Sequence, residues 1–175
     1  MLKPTSPFRD NGTAAAVMTE PSAPEAAVRD VAAFYQRADA LYRCAVECCR
    51  QHERLARLVK EGAMQVEQRA AQSLVAVCDE ALADLAAAYE TVAATRVCAE
   101  SDGACCRAAN GLWMAGREFA RRRRTSHRAG RNLGDGKHSS ERLGELALDY
   151  DLEASALLAL KQAADAYRKV RPSAA

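Results

Sequence analysis

Residues 22–61 read SAPEAAVRDVAAFYQRADALYRCAVECCRQHERLARLVKE, and a seven-residue apolar pattern runs through them almost unbroken. Val28, Tyr35, Tyr42, Cys49 and Ala56 share one heptad position. Val31, Ala38, Ala45, His52 and Val59 follow three residues later, and Ala27, Phe34, Leu41, Cys48 and Leu55 precede by one. Three apolar positions in seven make a face wide enough for a bundle core, broader than the seam of a two-stranded coil. The reading is an all-α protein: an antiparallel helical bundle or coiled coil of three to four long helices.

Outward from this stretch, residues 1–21 carry Pro4, Pro7 and Pro21 among small polar residues and read as a disordered tail. Ser22 and Glu25 form a Ser-x-x-Glu capping box at the start of the first helix, with Pro24 tolerated in its first turn. The bundle domain spans 22–171, and 172–175 form a second tail. Local chemistry permits a single helix from Pro24 to about Ala99, but a break at Gly62 gives arms of matched length that cover one another, so a hairpin is expected there. The second helix then covers about Ala63 to Ala99, with Ala63, Val66, Ala70, Leu74, Val77, Ala81 and Leu85 as its stripe. Ser101 or Asp102 caps a third, with Cys105, Ala109, Leu112, Gly116 and Phe119 inward and Trp113 flanking them. Residues 121–138 lose the period and read as an exposed basic loop. The last helix starts at Ser139 or Ser140 and carries Leu143, Leu146, Tyr150, Leu157, Leu160, Ala164 and Tyr167 inward.

Net charge is only +2 over 175 residues, so polyanion binding must come from local clustering. That cluster is Arg121, Arg122, Arg123, Arg124, Arg128, Arg131 and Lys137, with Asp135 the only acid among them. Such a segment attracts phosphate through Coulomb interaction and counterion release. Anionic lipid ranks above nucleic acid, because no aromatic residue is interleaved to stack on bases. Thr125 and Ser126 follow the arginines directly and resemble sites of basic-directed kinases; phosphate there would cancel part of the attraction.

Seven cysteines, an odd number with several at core positions, fit a reducing intracellular compartment better than a disulfide scaffold. No apolar run approaches the roughly 20 residues that span a bilayer, so the expected location is cytoplasmic or peripheral to a membrane. Cys44, Cys48 and His52 fall at i, i+4 and i+8, with Cys49 beside them and Cys105 and Cys106 on another helix, which suits Zn²⁺ or Cu⁺. This arrangement resembles the cysteine-lined four-helix bundles that store copper, although Cys44/Cys48 alone has their Cys-x-x-x-Cys spacing. No Gly-rich phosphate loop, nucleophile elbow or His-Glu-x-x-His occurs, so no enzymatic activity, cofactor or small-molecule substrate is expected.

Three long amphipathic helices with arginines massed between the last two resemble the BAR domains of sorting nexins and related membrane-curving proteins. The resemblance covers residues 24–171. It implies an antiparallel coiled-coil dimer with one long helix from about Ala63 to Arg124, kinked near Gly103. Arg121 to Lys137 would then be a tip touching anionic lipid, and Tyr35 and Tyr42 would lie in the core. The functional expectation is a non-enzymatic scaffold or adaptor that self-associates or joins a larger helical assembly and docks on anionic surfaces. The alternative is a Cys/His metal-binding bundle.

Overall fold

The computed structural model describes residues 23–93, 103–132 and 139–171. They form four helices: α1 Ala23–Lys60, α2 Gln65–Ala93, α3 Gly103–Asn132 and α4 Ser140–Val170. The expected N-terminal tail, the Ser22 end of the capping box, the end of the second helix, Lys137 and the final four residues lie outside the described residues.

The turn at Gly62 closes α1 in a Schellman arrangement. The Gly62 amide donates to the Val59 carbonyl (3.2 Å) and the Ala63 amide to the Leu58 carbonyl (3.0 Å), with Gly62 at φ +67°. Glu67 supplies the start of α2 that no Ser, Thr, Asp or Asn provides, by accepting from the Met64 amide at 3.2 Å. Ser139 caps α4, and its side chain accepts from the Arg142 amide.

Every sequential pair of helices is antiparallel. Cys48 and His52 of α1 meet Asp79 of α2, while Arg37 meets the Ala88 carbonyl. Arg123 of α3 meets Asp79, and Tyr89 of α2 meets Asn110. Arg123 also reaches Glu153 of α4, and Asp39 of α1 pairs with Arg171. The chain therefore runs up, down, up and down, and α2 and α3 are neighbours packed side by side, not one rod from Ala63 to Arg124. The end of α3 and the start of α4 lie at the same end of the bundle as Gly62.

Phe34, Leu41, Leu82, Tyr89, Leu112, Phe119, Leu160 and Tyr167 are fully enclosed and form the core. At Gly116 all four helices converge: a β-carbon there would stand 3.8–3.9 Å from Leu41, Leu82 and Leu160. The stripe on α3 is as expected, with Cys105, Ala109, Leu112, Gly116 and Phe119 all buried. On α2 it is corrected. Val66, Ala70, Leu74, Val77 and Ala81 face solvent, and the buried line is Ala71, Val75, Leu82, Ala86 and Tyr89. This helix carries apolar residues on its outer face as well as its inner one, so small alanines inside compete with valines and a leucine outside. Leu143 and Tyr150 of α4 are also exposed, and the core stops short of that end.

The expected loop at 121–138 is corrected as well: residues 121–132 continue α3 as helix. Arginine is a good helix former, and Glu118 pairs with Arg121 and Arg122 one turn on.

Gly62 has open space around its α-carbon, so its role is conformational. Gly62→Ala should lower stability by about 1 kcal/mol, because an L side chain is strained at positive φ. A chemical denaturation midpoint equal to wild type would show that the turn relaxes at no cost.

Candidate functional site

Below the hairpin tips, one polar layer crosses the bundle and takes a side chain from every helix. Asp79 of α2 is its hub. Asp79 Oδ1 accepts the Cys48 thiol of α1 at 3.2 Å and lies 2.9 Å from His52 Nε2. Asp79 Oδ2 accepts Arg123 Nε of α3 at 2.8 Å. Arg123 Nη1 donates in turn to Glu153 Oε1 of α4 at 2.7 Å. The second oxygen of Glu153 accepts the hydroxyl of Ser126, which lies one turn further along α3. Phe119 packs edge-on to the His52 ring at a centroid distance of 5.3 Å.

These groups are largely withdrawn from water, with side-chain exposures of 11% for His52, 12% for Asp79, 19% for Arg123 and 10% for Glu153. Burial works to raise the Asp79 pKa, but hydrogen bonds from His52, Arg123 and Cys48 outweigh it and hold the carboxyl below its ordinary range. Burial and the neighbouring Asp79 carboxylate push the Cys48 thiol strongly upward. Burial likewise raises Cys44 and Cys49, each to about 11.

The four consecutive arginines do three different things. Arg121 is exposed and forks onto Glu118 in its own helix, and these bonds hold Glu118 down to about 2. Arg122 reaches the same carboxylate. Arg123 turns inward as the cation of the polar layer. Arg124 faces a cavity of about 490 Å³ between α2 and α3. Arg128, Arg131 and His127 line the same cavity, across from Ala76, Glu80, Ala83 and Asp84. Burial, then the charge of Arg123, holds the His127 imidazole below its usual range. Among the described residues Arg124, Arg128 and Arg131 make no ion pair.

Thr125 is exposed, and its hydroxyl donates to the Arg121 carbonyl. Ser126 is fully buried between Glu153 and the Arg123 carbonyl, which corrects its reading as a kinase site. A kinase would have to unfold this part of α3 to reach it.

The cysteine ridge is corrected too. Residues eight apart on a helix are about 12 Å apart along the axis and some 80° apart around it, so Cys44 and His52 cannot share one ion. Cys44 is directed at the Cys78 carbonyl, 3.9 Å away. Cys105 and Cys106 lie about 21 Å along α3 from the level of Phe119 and His52. Among the described residues the donors that do converge are Cys48, His52 and Asp79, with Sγ, a ring nitrogen and a carboxylate oxygen all within 4.8 Å of one another.

Comparison of the chain with protein-family models, curated proteins and solved structures gives no match. Its chemistry is therefore read from geometry alone. Asp79, Glu153 and the inward turn of Arg123 were missed by sequence reasoning, although a signal was present: Arg123 and Ser126 continue the 105–109–112–116–119 stripe, Asp79 falls between Val75 and Leu82, and Glu153 lies seven residues before Leu160. Polar residues in phase with a core stripe mark a buried polar layer.

Because the Asp79 pKa is depressed on folding, its contribution to stability is complete above the unfolded value near 3.8 and is lost as pH falls through the lower folded value. Asp79→Asn should destabilise the protein near neutrality, and the gap in melting temperature between variant and wild type should narrow as pH drops below about 4. Parallel melting curves across that window would show that Asp79 makes no such contribution.

Proposed function

We propose that this protein is a non-enzymatic helical scaffold that rests on anionic membrane surfaces through α3 and joins other helices through the outer face of α2. The observation that carries the membrane half is the row Arg124, Arg128 and Arg131. Spaced four and three residues apart, these side chains occupy one helical ridge, and the described residues leave their charges without ion-pair partners. Further back on the same ridge, Arg117 is tied to Glu90 and lies over Trp113, and Arg121 is tied to Glu118. Among the described residues of this ridge, the cations without an ion pair thus lie at the hairpin-tip end of the bundle. Val59, Met64, Val66 and Leu143 are exposed at that same end. Cations beside projecting apolar side chains suit the headgroup and acyl boundary of a bilayer better than a duplex groove. No described helix is long and apolar enough to cross a membrane, so contact would be at the surface.

A juxtaposed cation contributes on the order of 1 kcal/mol at an anionic bilayer. Replacing Arg124, Arg128 and Arg131 together by Ala should therefore weaken partitioning onto phosphatidylserine-containing vesicles by about a hundredfold, with no binding to neutral vesicles in either protein. Arg123 is left intact in this variant because the fold uses it. Undiminished sedimentation, or tighter binding to duplex DNA than to the vesicles, would overturn the membrane assignment.

The joining half is supported by the outward line of α2. Val66, Ala70, Leu74 and Val77 form a continuous apolar ridge, with Val66 67%, Leu74 44% and Val77 64% exposed. Spacings of four, four and three place them on one face suited to a second helix. The mass in solution should exceed that of one 18.9 kDa chain, and Leu74→Glu with Val77→Glu should return it to that value. A wild-type monomer at high concentration would remove self-association from the reading.

A further inference from the structure

We infer that Cys48, His52 and Asp79 form a Zn²⁺ site that bridges α1 and α2. Three different ligand types meet there. The thiol sulfur and the imidazole nitrogen come from adjacent turns of one helix face and converge on the same oxygen of a carboxylate from the facing helix, at 3.2 and 2.9 Å. A tetrahedral ion about 2.0–2.3 Å from each donor fits among them after a small outward movement of the three side chains. The ridge of cysteines alone points to softer copper chemistry, whereas a carboxylate oxygen in the set selects Zn²⁺ over Cu⁺.

The surroundings are those of a held ligand set. Arg123 grips the other oxygen of Asp79 and is itself fixed by Glu153, which also receives Ser126. Phe119 sets the plane of His52. Such supports orient ligands and govern metal affinity. Asp79 already has a strong charged donor in Arg123, so the structural demand of the carboxylate does not call for a thiol, which is a weak donor. Charge also closes: Zn²⁺ and Arg123 balance the carboxylates of Asp79 and Glu153 and the thiolate of Cys48. As the Zn–S bond forms, the Cys48 proton leaves to solvent. The fourth position falls to water, which the cavity between α2 and α3 brings as far as Asp79.

The test uses the full chain, stripped of metal by a chelator under reducing conditions. Titration with Zn²⁺ should show one equivalent bound, with a rise in melting temperature. Titration with Co²⁺ should produce the thiolate-to-metal charge-transfer absorption that reports a sulfur ligand. Cys48→Ala should abolish that absorption and weaken Zn²⁺ by more than about a hundredfold, beyond the loss typical of supporting residues. Cys44→Ala and Cys78→Ala should bind as wild type. His52→Gln, which keeps a hydrogen-bond donor near Asp79 but removes the imidazole, guards against a Cys48 variant that fails to fold, and it too should lose the ion. Binding of less than about half an equivalent by the wild type overturns the site, as does retention of the ion in a folded Cys48→Ala or His52→Gln protein. Loss in Cys44→Ala or Cys78→Ala would do the same by placing the metal elsewhere.

Discussion

Arg123 lies between two carboxylates that have left bulk water, and the bundle is built around that fact. A buried charge is tolerated only when it is paired and hydrogen-bonded, and removing one partner of such a set is far more disruptive than losing an exposed ion pair. Here one guanidinium serves Asp79 of α2 and Glu153 of α4, while Cys48 and His52 bring in α1. The layer joins the α1–α2 hairpin to the α3–α4 hairpin. The apolar layers behind it, with the three leucines closing around Gly116, supply the drier part of the same junction. Nonpolar packing is permissive about alignment; the polar layer is not, since each donor has only one place where its acceptor waits.

The arginine run shows how a helix sorts identical residues by angle. Successive positions are turned by 100°, so four neighbours in sequence must face four directions. One is drawn into the core, two are neutralised by Glu118, and one begins the free row that continues through Arg128 and Arg131. The basic cluster is thus smaller as a docking feature than its composition suggests, and better ordered. Its position on a rigid helix fixes the spacing of the free charges, which a loop would leave variable.

Much of the architecture was legible in the sequence. The middle of the α1 heptad face from Phe34 to Cys49, the α3 stripe from Cys105 to Phe119, the Gly62 turn and the Ser139 cap all follow from local chemistry that tertiary packing does not override, whereas Val31, Ala56 and Val59 of the expected α1 face are exposed. The face of α2 was not legible, because Val66, Leu74 and Val77 outweigh Ala71 and Ala86 in any hydrophobicity count while packing selects the smaller residues for close approach. The polar layer was hidden for a different reason. Arg123 sits among arginines that look like a solvated run, and Asp79 and Glu153 lie about 44 and 30 residues away from it, a separation that only the fold closes. Two of the three members of the Cys48–His52–Asp79 cluster were visible, because i and i+4 neighbours are local; the third needed the second helix.

The position of this layer has a mechanical consequence. Sliding one hairpin along the other by a single turn, about 5.4 Å, would carry the Arg123 guanidinium, together with Glu153 of its own hairpin, away from Asp79 and leave that buried carboxylate without its arginine. Shear between the hairpins is thereby opposed at this level, whereas Leu143, Tyr150, Val59 and Val66 beyond the layer are solvated and impose no such alignment. The layer acts as a dowel that holds the two hairpins against longitudinal slip at one level.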